Sequence, residues 1–439
     1  MVKGYPVLKD DIFFAKIKTA SGTRVKICNT ATEKDFKPTP DTVALLDLCT
    51  GTNRVNEIIA ILSEQSGEST EEVAEGVHII LRILQEKGII TVNPSPLKRS
   101  IPGAKKVKVN YPIESGQIEI TNRCNLSCVH CVNQSGDPCS NELATEEICS
   151  AIDRMSSLGA HQITLTGGEP LMHPDLFKII EHARKAPMAV IILTNGTLIT
   201  EEHVKKFKEL GVNRFAVSID SMDEDIHDTF RGQKGALKKA LNSVNLLKDA
   251  GFSVRIAVSL NQYNKNDIVD TLKKLKEHDL TDYQFAEVNF SGRGIEGVSI
   301  SPEEYYRILV EQLTYFKEEN PEKIFEFPFK SGEGCGIARH KMCIKADGTI
   351  IPCQVFSEEM GVGNIRDVDL AVFWDTNETL EKLRKMRTEN DETCKECMYL
   401  RLCDGCIANA FNLEGELRCY DPHTCARTRA YGTVFGIKG

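Results

Sequence analysis

Cys124, Cys128 and Cys131 stand within eight residues in the spacing CxxxCxxC, and nothing else in this 439-residue chain constrains its fold and chemistry as tightly. In a reducing compartment disulfides are disfavoured, so clustered cysteines there more often bind metal or do chemistry. A cubane 4Fe–4S cluster normally takes four cysteines. Three on one loop leave one iron open, and an open coordination position is what catalysis at a metal needs. The competing expectation is a zinc knuckle completed by His130 or His161, because related spacings serve both metals.

Composition matters here for what it excludes. The chain carries 16 cysteines, and only Cys28 and Cys49 precede Cys124. Its 41% hydrophobic and 27% charged content is that of an ordinary soluble globular protein, long enough for two or three domains. A formal charge of -9 and a pI near 5.7 argue against a general nucleic-acid binder. No apolar run approaches the roughly 20 residues that span a bilayer. The N-terminus, Met1-Val2-Lys3-Gly4-Tyr5-Pro6, lacks the apolar stretch of a secretory signal. The expected compartment is the cytoplasm, and a secreted disulfide scaffold is disfavoured.

Residues 1–95 read as a small α+β unit. Strand-like runs at Ile12–Ile17 and Arg24–Ile27 flank the turn signal Ser21-Gly22. Three helical patterns follow, built on Val43, Leu45, Leu46 and Leu48, then Val55, Ile58, Ile59 and Leu62, then Val73, Val77, Ile80, Leu81 and Leu84. The third opens with a capping box, Ser69 to Glu72. Gly88 stops it and Ile89–Val92 reads as a closing strand, a winged-helix-like pattern without a strong basic stripe. Residues 96–112, rich in Pro, Lys and Gly, read as a linker.

From Gln117 to about Phe290 strands and amphipathic helices alternate, which predicts a parallel α/β sheet, open or closed. The candidate strands are Gln117–Thr121, Gln162–Thr166, Ala189–Thr194, Arg214–Ile219, Ser253–Leu260 and Tyr283–Phe290. Six βα units suit a partial TIM-like (β/α)6 barrel. Each unusual polar motif follows a strand: the cysteine loop, then Gly167-Gly168-Glu169-Pro170, then Asn195-Gly196, then Ser218-Ile219-Asp220. In a parallel barrel the C-terminal strand ends form one rim, where sites are built. Convergence there favours the iron–sulfur expectation over zinc.

The cysteine loop, the Gly-Gly-Glu-Pro motif and their strand positions resemble the radical S-adenosylmethionine (SAM) superfamily. The resemblance implies that Cys124, Cys128 and Cys131 ligate three irons of a catalytic cluster while SAM chelates the fourth. It further implies that His130 borders the adenine, that Gly167, Gly168 and Glu169 bind the methionine amino group, and that Ser218 and Arg231 hold ribose or carboxylate. Glycines permit close backbone approach, and an arginine fork suits a carboxylate. Reductive cleavage of SAM to a 5′-deoxyadenosyl radical is the implied reaction.

The later cysteines fall into groups: Cys335, Cys343 and Cys353, then Cys394, Cys397, Cys403 and Cys406, then Cys419 and Cys425. Their order resembles a SPASM domain, expected over residues 327–439 behind a radical SAM barrel over 113–326. The resemblance implies two auxiliary 4Fe–4S clusters, three clusters in all. One would use Cys335, Cys343, Cys353 and Cys406; the other Cys394, Cys397, Cys403 and Cys425, with Cys425 preferred to Cys419. Two residues separate Cys403 from Cys406 where the family more often has three, and structural zinc–tetrathiolate sites are the alternative. Cys28, Cys49, Cys139, Cys149 and Cys419 are left over, most of them expected to be buried.

The order of units resembles enzymes that mature ribosomally made peptides, with residues 1–95 as a RiPP recognition element that binds a precursor's leader as an added strand. His227–Gly232 and Ser291–Gly294 look most like the sactipeptide maturases, which join a cysteine sulfur to an α-carbon. The expected function is oxidative thioether formation in a precursor peptide, with flavodoxin or ferredoxin as electron donor. A carbon–carbon crosslinking maturase, a formylglycine-forming enzyme, and a non-enzymatic electron carrier or winged-helix regulator are the alternatives. Arg293 reads as facing the site or as a solvated loop residue, and Glu287 as a candidate base or a carboxylate with another purpose.

Overall fold

The computed structural model describes residues 1–97, 104–288, 291–294, 297–319, 335–403 and 405–436. The first unit contains β1 (Tyr5–Leu8), β2 (Ile12–Thr19), β3 (Gly22–Asn29) and β4 (Lys34–Phe36), then α1 (Pro40–Leu48), α2 (Val55–Ser66), α3 (Thr70–Glu86) and β5 (Ile90–Asn93). The expected hairpin is β2–β3, paired from Ile12–Asn29 to Thr19–Gly22. The Ser69–Glu72 capping box opens α3, each side chain accepting from the other's backbone N–H. Two strands went unread in the sequence. β1 pairs antiparallel with β5, and β4 pairs with the end of β3.

The linker expectation for 96–112 is corrected over Lys105–Lys108, while residues 98–103 lie outside the described residues. Lys105–Lys108 forms β6, which pairs parallel with β2 and extends the first sheet. Only Val107 of this Lys-Lys-Val-Lys strand is buried, so its composition resembles a solvated tether. Strand period two then splits β2. Phe13, Ala15 and Ile17 join the large central core, whereas Ile12 and Phe14 join the first unit's own core with Leu45, Ile58 and Leu81. Both faces of β2 are thus buried, and the unit is packed against the rest.

The central sheet contains β7 (Ser115–Glu119), α4 (Thr145–Ser157), β8 (Gln162–Thr166), α5 (Leu176–Lys185), β9 (Ala189–Thr194), α6 (Glu201–Glu209), β10 (Arg214–Ser218), α7 (Glu224–Arg231), α8 (Ala236–Asp249), β11 (Ser253–Leu260), α9 (Ile268–Glu277) and β12 (Tyr283–Glu287). These six strands lie in order and pair in parallel. The first runs two residues earlier than expected. The last is described only to Glu287, and the expected boundary at 326–327 lies outside the described residues. Helix α10 (Pro302–Glu319) follows β12.

The C-terminal part extends the same sheet. β13 (Lys341–Ile344) pairs parallel with β7, and β14 (Thr349–Ile351) and β15 (Gly363–Asn364) continue antiparallel, giving nine strands in a mixed sheet. Helices α11 (Leu370–Thr376), α12 (Glu378–Lys385), α13 (Ile407–Glu414) and α14 (Pro422–Phe435) complete it. Trp374 is fully buried and its indole N–H donates to the Tyr111 carbonyl at 2.7 Å, closing α11 onto the segment ahead of β7. Among the described residues no helix is long and apolar enough to cross a membrane.

Candidate active site

The cysteine loop begins where β7 ends, and its backbone prolongs the β7–β8 pairing. Gly168 N–H donates to the Thr121 carbonyl and Glu169 N–H to the Arg123 carbonyl, both at 2.8 Å. A Cβ on Gly167 would lie 2.2 Å from the Thr121 oxygen, and one on Gly168 2.3 Å from the Arg123 oxygen. No side chain fits at either position, and Gly167 also has φ 138°. The close approach these glycines permit is therefore to the cysteine loop itself. Cys124 N–H donates to the Gly136 carbonyl, and Ser135 N–H points at the Cys131 sulfur at 3.3 Å.

The three thiols sit in one electrostatic neighbourhood. Burial pushes the Cys124 thiol up to about 11, and the charges of Cys128 and Cys131 add to it. Burial raises Cys128 as well, against the opposing pull of Arg231, whose Nη1 lies 3.9 Å from its sulfur. A bound metal reverses this, since coordination deprotonates a thiol outright. Among the described residues no three or more His, Cys, Asp or Glu side chains gather as for a single ion. A cubane asks for one thiolate on each iron, and this donor set of clustered thiols beside a buried arginine suits that group.

Arg231 is held in place by a second buried charge. Its Nε bonds Asp220 Oδ2 at 2.6 Å, and Asp220 Oδ1 accepts from Ser259 N–H at 2.9 Å. Burial works against the Asp220 carboxylate, but Arg231 and His227 outweigh it and hold the group below its ordinary range. Two Arg231 donors are engaged, and the rest of its five remain for an anionic ligand. Ser218, half-buried at the end of β10, lies two residues before Asp220. His130 stacks on Phe230 at 4.0 Å and 5°, and its buried Nδ1 has no partner. Burial and then Arg231 depress it to about 3, so it is neutral at pH 7.

Glu169 is fully buried and already engaged. Its oxygens accept from Thr194 Oγ1 at 2.8 Å, Asn195 N–H at 2.8 Å and Leu171 N–H at 3.2 Å. Burial nevertheless pushes it up to about 7. Carboxylate oxygens offer about four acceptor positions, so one remains beyond these three. Asn195, noted in sequence only as a strand-end motif, donates through Nδ2 to Asn125 of the cysteine loop at 3.0 Å.

Sequence reasoning missed one tie and left another open. Lys345, just past β13, is buried against Glu119 at 3.1 Å and also bonds Asn133, two residues beyond Cys131. Arg293 is no solvated residue: its guanidinium bonds carbonyls of the cysteine loop. Glu287 ends β12 with Oε1 accepting from Asn409 of α13, while its enclosed Oε2 has no partner. Burial first, then Asp421, pushes it up to about 7, against Arg427 and Asn409.

The C-terminal cysteines form two neighbourhoods. Burial pushes Cys406 up to about 12, with Asp421, Cys353 and Cys335 raising it further. Cys343 is raised by burial and then by Cys353. A separate cavity of about 420 Å³ is lined by Cys394, Cys397, Cys403 and Cys425, with Tyr399 and Tyr420. Cys419 does not line it; it is buried, and its N–H donates to Asp391. Of the other cysteines, Cys28 and Cys49 are buried, while Cys139 and Cys149 are only half-buried.

Comparison with known proteins agrees with this layout. Residues 118–275 match the Radical SAM superfamily model, and residues 335–398 match SPASM, an iron–sulfur cluster-binding domain. An AdoMet-dependent heme synthase of Methanosarcina barkeri is 32% identical over 70% of this chain and 95% of its own length. The antilisterial bacteriocin subtilosin biosynthesis protein AlbA of Bacillus subtilis is 28% identical over 80% of each chain. The fold of Streptococcus suis SuiB, solved with its precursor peptide SuiA, superposes with a TM-score of 0.66 at 15% identity, covering 95% of this chain and 99% of that one. With strand-end loops converging on three clustered thiols and a SPASM region downstream, this chain belongs to the radical SAM superfamily and is a radical SAM enzyme that uses 4Fe–4S clusters and SAM.

Proposed function

We propose that this enzyme is a peptide maturase that joins a cysteine sulfur to a carbon of a ribosomally made precursor. The observation that carries this reading is the first unit. β3 is paired with β2 along its length but with β4 only over Ile27–Asn29, so its Thr23–Lys26 edge has no strand on it among the described residues. Beside that edge lies a cavity of about 790 Å³ whose walls include Val25, Phe36 and Val43 with Lys26, Asp35 and Asp47. An extended peptide can add to such an edge through backbone hydrogen bonds and place alternate side chains in the groove. Residues 1–95 would thus act as a RiPP recognition element, its winged-helix-like helices backing the sheet.

In this proposal Cys124, Cys128 and Cys131 hold the SAM-binding cluster within residues 113–326. His130, Gly167, Gly168, Glu169, Ser218 and Arg231 surround the SAM. Eight of the nine cysteines from Cys335 to Cys425, all but Cys419, would hold two auxiliary clusters within residues 327–439, for three in all. The bound cofactors supply reductive SAM cleavage and hydrogen abstraction. The chain's own residues position and shield: Arg231 stands ready for a carboxylate, and Phe230 with His130 closes one wall. One C–H and one S–H bond break and one C–S bond forms. A hydrogen atom, a proton and an electron leave the peptide; an auxiliary cluster held by the C-terminal cysteines would supply the acceptor for that electron. Flavodoxin or ferredoxin would supply the initiating electron.

The heme synthase relative supports a second reading, a heme-precursor porphyrin as substrate. One experiment separates the two. Purified enzyme is incubated anaerobically with SAM, reductant and either a cysteine-containing precursor peptide encoded beside its gene or the porphyrin. A peptide mass loss of about 2 Da per link with loss of free thiol supports thioether formation. The same mass loss with thiols intact means a carbon–carbon link. Porphyrin turnover with an unchanged peptide overturns the maturase reading.

A further inference from the structure

We propose that Arg293 is a positioning residue that fixes the cysteine loop and sets the electrostatics of the cluster it holds. The proposal rests on the assignment of Cys124, Cys128 and Cys131 as cluster ligands. Arg293 follows β12 and is more than 150 residues from the loop in sequence, yet it is bonded to it four times. Its backbone N–H donates to the Cys131 carbonyl at 3.0 Å. Its Nε donates to the Cys128 carbonyl at 2.9 Å. Both terminal nitrogens donate to the Ser135 carbonyl, at 3.2 and 3.3 Å.

The preceding residue makes this contact possible. Gly292 has φ 63°, and a Cβ there would lie 2.3 Å from the Val132 oxygen and 2.5 Å from the Cys131 oxygen. Only glycine lets the 291–294 segment lie against the loop backbone. The loop has no helix or strand of its own through Cys131; its Cys128 and Cys131 carbonyls each accept one long local bond at 3.3 Å, from Cys131 N–H and Gln134 N–H, and shorter partners come from elsewhere. Arg293 supplies them as a planar fork with a permanent charge.

Two arginines therefore meet at one ligand from opposite sides of its chemistry. Arg231 approaches the Cys128 sulfur, and Arg293 holds the Cys128 carbonyl. Net charge and hydrogen bonding around the sulfurs set a cluster's reduction potential. Arg231 is already tied to Asp220, which offsets its charge. Among the described residues no carboxylate pairs with Arg293, so its charge acts on the loop without that offset.

The test uses the full chain reconstituted with iron and sulfide, as wild type, Arg293→Lys and Arg293→Ala. The SAM-binding cluster is followed by the change that SAM causes in its electron paramagnetic resonance spectrum. In Arg293→Ala the ratio of reduced to oxidised cluster at fixed potential should fall about tenfold, equivalent to a shift of about 59 mV for one electron. Arg293→Lys keeps the charge but cannot hold both carbonyls. Its potential should stay near wild type, while the SAM-responsive signal decays about tenfold faster under an iron chelator, the effect of losing one charge-assisted hydrogen bond.

Wild-type potential together with wild-type decay in Arg293→Ala overturns the proposal. So does wild-type decay in Arg293→Lys, which alone decides the matter if the alanine variant does not accumulate. Absence of any SAM response in the wild type overturns the ligand assignment instead. That failure is distinguishable because it needs no variant.

Discussion

The cysteine loop of residues 124–131 and the C-terminal cysteines are held by different physics. The loop's local bonds are long, Cys131 N–H to the Cys128 carbonyl and Gln134 N–H to the Cys131 carbonyl at 3.3 Å, and its shorter partners come from distant elements: Arg293 on carbonyls and the 167–169 backbone alongside, with Arg231 of α7 on a sulfur. The C-terminal cysteines lie among short-range caps and turns. Asp421 caps α14 by accepting from His423 and Thr424 N–H, and Cys397 N–H donates to the Cys394 carbonyl at 2.9 Å. A loop that leaves one iron open, as proposed for this one, must be aimed by its surroundings. A site with four thiols can be shaped largely by its own spacing.

If the two regions are separately held, damage to one should spare the other. Cys128→Ala should abolish deoxyadenosine formation and remove about four of the roughly twelve irons per chain that the proposed three clusters require. Cys406→Ala should remove about four irons while SAM cleavage persists. Loss of all iron in either variant would show that the regions are one cooperative unit.

A smaller difference is expected in folding stability. Asp220→Ala strands the buried Arg231 charge and should cost about 3–5 kcal/mol. Asp421→Ala removes a helix cap and should cost about 1–2 kcal/mol. Urea unfolding of the two variants compares them directly, and equal costs would contradict the contrast between long-range and local support.

Glu287 stands between the regions, and its effect depends on pH. Its carboxyl is raised from 4.5 to about 7, so the folded state binds the proton more tightly than the unfolded chain does. Its contribution is complete below about 4.5 and is lost as pH rises through about 7. Glu287→Gln should flatten that part of the stability–pH curve, as read by thermal melts between those values. An unchanged slope would mean that this carboxyl titrates normally.

The weakest expected effect is at the surface. Arg366 bonds Glu147 at 2.6 Å and also the Asn141 and Asp347 carbonyls, tying the helix after the cysteine loop to the C-terminal strands. Both side chains are about one-third exposed, so Glu147→Gln should cost less than about 1 kcal/mol. A larger loss, measured by the same unfolding, would make this bridge a true coupling of the two regions.

Much of this was legible in the residues because it is local. The α3 capping box and the six βα units both follow from spacing and period. Other features had no local mark. A strand of one valine among lysines, β6, looks like a tether until β2 is beside it. β13 reads as the start of a separate domain until it pairs with β7. Arg293 reads either as facing the site or as a solvated charge until its carbonyl partners are known.

The chain's own order of cysteines, glycines and alternating strands and helices therefore specified the superfamily and the rim on which the chemistry is built. Periodicity and ligand spacing belong to the chain itself and survive without tertiary contacts. Folding in three dimensions assigned the partners: Asp220 to Arg231, Lys345 to Glu119, Arg293 to the carbonyls of Cys128 and Ser135. The partner of a buried charge is whatever the fold brings within about 3 Å of it. In a low-dielectric interior that choice, rather than residue type, sets what the charge does.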